Sequence, residues 1–314
     1  MDTRKSIKEL YESGVNIQQY FQRLNNTKKN DINAILLSYD YQAGNYIEEY
    51  NNENCIEEVC YNGKKVTMSN KKLTEITGKL IADEIDKFNP DSVLEVGTGE
   101  GTILKEVIDH LKNKDVQYTG IDISLSRLLF ARKFLKENQK DVNLIMADLF
   151  HLPFSDNQFD VVFLRNCLES NTGREKEALT ELIRIANKCV ILIEPSYTLG
   201  NEQTKKRIKE FGYIDNIDSA LEGLNILKYE PFGASIYYNN TALIVIGKES
   251  ITREKNKSVQ YCCPQCKTSV NRVGGVLYCP ECFCIYPIIK SIPLMTRENA
   301  ILCSKWERFK HDNF

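Results

Sequence analysis

Val93-Leu94-Glu95-Val96-Gly97-Thr98-Gly99-Glu100-Gly101 is an apolar run that breaks into three alternating glycines. The residues that follow, Ile103, Leu104, Val107, Ile108 and Leu111, carry the spacing of one helix face. Strand, tight loop and helix in this order form a junction that holds nucleotide-like cofactors. Glycine is needed there because the turn uses backbone angles closed to other residues and a ligand must lie against bare backbone. A dinucleotide fingerprint would place glycine at 102, where this chain has Thr102. The loop also lacks the Gly-Lys-Ser/Thr ending of a phosphate-binding P-loop.

The neighbours of the junction narrow the ligand. Residues 117–121 read as a second strand, with Asp122 at its carboxyl end, 21 residues past Gly101. A carboxylate there accepts hydrogen bonds from both hydroxyls of a ribose, so it marks a nucleoside without naming it. A third strand over 142–146 ends in Ala147-Asp148-Leu149, followed by Leu152-Pro153-Phe154-Ser155-Asp156-Asn157-Gln158-Phe159-Asp160-Val161-Val162. The ExGxGxG loop, the acids and this last block together resemble the class I S-adenosylmethionine (SAM) methyltransferases of the small-molecule, quinone-biosynthesis type. The resemblance implies SAM as cofactor, bound by Glu95, Gly97, Thr98, Gly99, Gly101, Asp122, Ile123, Asp148, Leu149 and Arg165, with Asp148 on the adenine amino group.

Further along, 161–164 and 190–193 read as strands four and five, a helix spans 175–187, and strand-like runs follow at 225–229 and 241–246. Alternating strands and helices predict an α/β protein with a parallel sheet whose ligands sit beyond the strands' carboxyl ends. With the resemblance, the expectation is a Rossmann-like, seven-stranded class I methyltransferase sheet over residues 89–248. Residues 1–88 carry helical spacing and are expected to form a helical cap. Its aromatic stretch makes Tyr39, Tyr41 and Tyr46, with Tyr197 from the core, candidates for a substrate wall.

Residues 249–258 are polar and read as a linker to a final module at 259–314. Six of the eleven cysteines fall between Cys262 and Cys284, which argues against a disulfide framework. Cys263-Pro264-Gln265-Cys266 and Cys279-Pro280-Glu281-Cys282 form two CxxC knuckles twelve residues apart, the spacing of a four-thiolate structural Zn²⁺ site. With the Ile292-Pro293-Leu294-Met295 run, the knuckles resemble a small bacterial zinc-ribbon family related to a methyltransferase-activating subunit. That family usually has Asp-Gly where this chain has Lys290-Ser291.

Methyl transfer from SAM is an in-line displacement, and a base is required only where the nucleophile must lose a proton. His151, Asn166 and Glu194 are the candidate catalytic residues, and Glu169 also faces the substrate side in this reading. The chain lacks the Asn/Asp-Pro-Pro-Tyr/Phe run of amino methyltransferases acting on adenine, cytosine N4 or glutamine. Net charge is −2, and the last 65 residues carry 10 Lys+Arg against 5 Asp+Glu, which leaves the remainder near −7. Such a core lacks the electrostatic footprint for duplex or transfer-RNA binding. The expectation is a cytoplasmic, zinc-containing enzyme that methylates a small molecule, with oxygen the favoured acceptor. RNA methylation or protein partnering through the ribbon, and a non-catalytic SAM-binding scaffold, are the alternatives. No apolar run approaches a membrane span, and the N-terminus lacks a hydrophobic signal core.

Overall fold

The computed structural model describes residues 3–251 and 259–309, so most of the 249–258 linker lies outside the described residues. Four helices open the chain: α1 (Arg4–Glu12), α2 (Ile17–Leu24), α3 (Ile32–Tyr41) and α4 (Asn45–Asn51). Side-chain caps set three of their starts, since Thr3, Asn16 and Asp31 each accept a hydrogen bond from a first-turn N–H. The expectation of an all-helical segment to residue 88 is corrected by a hairpin, β1 (Ile56–Tyr61) and β2 (Lys64–Ser69). Asn62-Gly63 joins the two strands with both residues at positive φ, 47° and 76°. Asn-Gly between alternating residues is a strong short-range hairpin signal. It outweighs the helical spacing on either side.

After α5 (Asn70–Ile85) the core alternates: β3 (Ser92–Val96), α6 (Thr102–His110), β4 (Gln117–Asp122), α7 (Leu125–Glu137), β5 (Asn143–Ala147), β6 (Phe159–Arg165), α8 (Glu175–Ile185) and β7 (Ala186–Pro195). Helices α9 (Glu202–Phe211) and α10 (Asp218–Leu221) precede β8 (Ile226–Pro231), β9 (Ala234–Ile236) and β10 (Thr241–Gly247). The core strands lie in the order β5-β4-β3-β6-β7-β10-β8. Strands β3 to β7 run parallel, and β10 pairs antiparallel with β7 and β8. This is the Rossmann-like sheet that the sequence predicts. Every residue of β6 but the last is buried, as expected of a strand covered on both faces. Strand order reverses between β3 and β6, so the crevice at the carboxyl end of β3 opens there.

Two packing features were not legible in the sequence. The hairpin pairs with β9 through Val59↔Ile236, which ties the N-terminal segment to the core as a three-stranded sheet. At the other edge the C-terminal strands β11 (Asn271–Val273), β12 (Val276–Tyr278), β13 (Cys284–Ile289) and β14 (Ile292–Met295) continue the main sheet, because β14 pairs parallel with β5. An exposed β5 would be an open edge of unpaired backbone groups, and β14 covers it. The C-terminal module is seated on the Leu152-Pro153-Phe154 block: Phe154 is fully buried against Phe159 (centroids 4.9 Å) and Tyr261 (6.4 Å). Cys262 N donates to Pro153 O at 2.9 Å, and Lys267 Nζ reaches Leu152 O at 3.1 Å and Glu181 at 2.7 Å.

Lys290 and Ser291 form the two-residue turn between β13 and β14, at φ 49° and 61°. Such turns demand positive φ at both positions, which costs a non-glycine residue about 1 kcal/mol or more. Ser291→Gly relieves that cost but gives back about 0.4–1 kcal/mol in unfolded-chain entropy, so a net gain of about 0.5 kcal/mol is expected, read from denaturant midpoints, with the zinc content unchanged. A neutral or destabilising result would show that the turn carries no strain.

Candidate functional site

Gly97, Gly99 and Gly101 sit at φ 73°, 54° and 78°, all in the left-handed region. Gly97 is pressed against the segment after β6, where a Cβ would meet Cys167 Sγ at 2.5 Å. Thr98 Oγ1 donates to Glu95 Oε2 at 2.7 Å, and Gly99 N donates to Asp122 Oδ2 at 2.9 Å. Asp122 Oδ1 accepts from Ser124 N at 2.8 Å, so one carboxylate spans the loop after β3 and the start of α7. Burial pushes the Glu95 carboxyl up to about 8, against the bond from Thr98 and the Arg165 charge. Burial also raises Asp122 and Asp148 above the ordinary carboxylate range.

A cavity of about 390 Å³ lies over this loop. Of the expected cofactor residues, Glu95, Gly97, Thr98, Gly99, Asp122, Ile123, Asp148, Leu149 and Arg165 line it. Gly101 does not: it precedes α6 and packs against Leu135, whose Cδ1 would stand 3.0 Å from an added Cβ.

The N-terminal segment closes the cavity through contacts the sequence did not reveal. Glu100 accepts N–H bonds from Gly44 and Ile47, both at 2.9 Å, which fixes the start of α4 over the glycine loop. Arg127 is buried with its guanidinium 4.8 Å from the Tyr39 ring and 4.6 Å from the Tyr46 ring, and its Nε donates to Tyr39 O. Tyr39 and Tyr46 thus line the cavity and clamp a cation. Tyr41 instead donates to Arg4 O, and Tyr197 lies under Lys209, so neither lines the cavity.

The expected catalytic residues divide in the same way. Asn166, at φ 49°, lines the cavity with its Oδ1 buried and unpartnered. His151 does not line it and belongs to the short turn after β5. Glu194 does not line it either: its carboxylate accepts the backbone N–H groups of Cys167, Leu168 and Glu169 at 2.8, 3.1 and 3.1 Å. It organises the segment after β6. Residues that the sequence left unmarked, among them Arg207 and Asn239, line the same cavity. They come from α9 and the loop after β9, far from any glycine signal.

The Sγ atoms of Cys263, Cys266, Cys279 and Cys282 all lie within 4.8 Å of one another. Cys263 to Cys282 is 3.6 Å and Cys266 to Cys279 is 3.5 Å. Four sulfurs about 2.3 Å from a zinc would stand about 3.8 Å apart, so the donor set suits that ion. Cys262 and Cys284 fall outside the cluster. Among the described residues no helix is long and apolar enough to cross a membrane.

Residues 93–188 match the family described as a methyltransferase domain. The demethylmenaquinone methyltransferase of Porphyromonas gingivalis is 31% identical over 106 residues, 33% of this chain and 42% of that protein. A putative methyltransferase of Bacillus subtilis, YrhH, is 31% identical over 119 residues, 36% of this chain and 62% of its own length. The alignments thus span less than two thirds of either curated relative. The solved structure of magnesium protoporphyrin IX methyltransferase from Synechocystis, with SAH bound, aligns at a TM-score of 0.49 and 13% identity over 69% of this chain and 100% of that one. Residues 93–188 of this chain therefore carry a methyltransferase domain, set in a Rossmann-like sheet.

Proposed function

We propose that this protein transfers the methyl group of SAM to a small-molecule acceptor bearing a hydroxyl or an amine, and that its four clustered cysteines hold a structural zinc. The observation that carries this reading is a single cavity lined at once by the glycine loop, by the acids ending β4 and β5, and by the N-terminal helices. Asp122 would hold the ribose hydroxyls, Asp148 the adenine amino group, and the bare backbone of Gly97 and Gly99 the rest of the nucleoside. SAM supplies an electrophilic methyl on a sulfonium, already activated. The chain's part is to orient and to exclude water, and the clamp of Tyr39, Arg127 and Tyr46 closes the site to do so. The ribbon's continuity with the main sheet favours an architectural role for it over RNA contact.

SAH at a hundredfold excess over its dissociation constant should stabilise the protein by about 2.7 kcal/mol, seen as a raised Tm. Asp122→Ala is expected to abolish that shift, and Asp122→Asn, which keeps one acceptor, to reduce it. An SAH isotherm unaffected by Asp122→Ala would overturn the cofactor assignment.

A further inference from the structure

Buried polar atoms are nearly always paired, so a cluster of unpaired ones on residues that line a cavity calls for a ligand. Among the described residues, five such atoms belong to residues lining this one cavity: Arg165 Nε, Asn166 Oδ1, Glu169 Oε2, Arg207 Nε and Asn239 Oδ1. Arg165 and Asn166 follow directly from β6, beside Gly97, and belong to the cofactor's side. The other three come from the segment after β6, from α9 and from the loop after β9, and all three line the same cavity. Glu169 is buried, its N–H held by Glu194 at 3.1 Å and its carbonyl by Ile214 N at 3.0 Å, so its position is fixed from both ends. Arg207 lies 4.7 Å from the Phe211 ring, 5.6 Å from Tyr213 and 5.7 Å from Tyr238, a stacked cation held in place by aromatic faces.

Building on the methyltransferase reading, we infer that the acceptor is a small amino carboxylate whose amine is received by Glu169 and Asn239 and whose carboxylate is received by Arg207. Two unpaired acceptors demand a donor group, and one unpaired guanidinium N–H demands an anion. The lining as a whole carries seven acids against three arginines, which favours an acceptor that brings a positive charge of its own. Half-buried Glu49 and Glu57 are both raised above the carboxylate range by burial, with no cation beside either. Burial pushes Glu169 up to about 7, opposed by the Arg207 charge and a bond from Asn239. A base of that strength suits an amine, with a pKa near 10, and not an aliphatic alcohol. The acceptor arrives as its ammonium form: Glu169 takes one N–H proton, the freed lone pair forms the bond to the methyl carbon, the pair of the broken S–C bond stays on sulfur, and the product leaves as the N-methylammonium. Glu169 is regenerated by release of that proton to solvent.

The test uses the whole protein saturated with SAH, and reads the further Tm rise given by glycine, β-alanine and anthranilate. Methylamine and aniline serve as matched amines without the acid, acetate and benzoate as matched acids without the amine. At least one amino carboxylate should raise Tm more than both of its matched fragments. Arg207→Met should leave the SAH shift intact while reducing that amino carboxylate to the level of its amine. Glu169→Gln should also keep the SAH shift and lower methyl transfer to the same acceptor at least a hundredfold. It should remove the rise in rate with pH through about 7 seen in the parent protein. If no amino carboxylate shifts the SAH complex, or if Arg207→Met leaves its shift unchanged, the inference is overturned while the cofactor assignment stands. If SAH itself gives no shift in the parent protein, both fall together.

Discussion

Gly97→Ala is expected to abolish cofactor binding and to destabilise the protein by several kcal/mol. The new Cβ would stand 2.5 Å from Cys167 Sγ and 2.8 Å from Cys167 Cβ, at a φ of 73°. Left-handed backbone costs an L-residue about 1–2 kcal/mol. Overpacking adds about 1–3 kcal/mol. Relief by moving the loop would displace Gly99 N from Asp122, and with it the ribose carboxylate. Calorimetric titration with SAH should therefore show a loss of at least a hundredfold. Gly99→Ala, which meets only Arg127 Nη1 at 3.2 Å, should be milder. Cys167→Ala cannot rescue Gly97→Ala, since the 2.8 Å contact is to the Cβ that alanine retains. Full rescue by that variant would sink the steric account.

Removal of zinc is the second large effect expected. Metal analysis should find about one zinc per chain, and chelation should cost the ribbon folding free energy on the order of 10 kcal/mol. The consequence should reach the cofactor, because Leu294↔Met146 and Met295↔Ala147 hold the carboxyl end of β5, one residue before Asp148. The Asn299 side chain adds a contact to Met146. Chelation, or Cys266→Ser with Cys279→Ser, is expected to weaken SAH binding about tenfold as well as lower Tm. An SAH affinity unchanged after complete metal removal would show that β5 holds its end without the ribbon. A disulfide between Cys263 and Cys279 in place of metal would overturn the zinc site itself.

What could be read from the sequence was local. Strands β3 to β7, the glycine loop and the acids at strand ends are each carried by a short run of consecutive residues. The hairpin at Asn62-Gly63 was equally local, but the helical spacing on both sides obscured it. Side-chain roles that depend on what lies opposite were not readable. Glu194 and Glu169 are both buried acids near strand ends, yet one is saturated by three backbone N–H groups and the other has an oxygen left open. No spacing distinguishes them.

The Leu152-Pro153-Phe154 block shows the same division. Its pattern pointed to a family, while its physical work here is to seat the ribbon against Tyr261 and Cys262. The sequence by itself determined the glycine loop and the cavity wall it forms, because a strand, a loop of left-handed glycines and a helix are consecutive in the chain. Only the tertiary structure decided what faces that loop across the cavity. Glu169, Arg207 and Asn239 come from three separate segments, and chain order cannot say that packing brings them to one cavity.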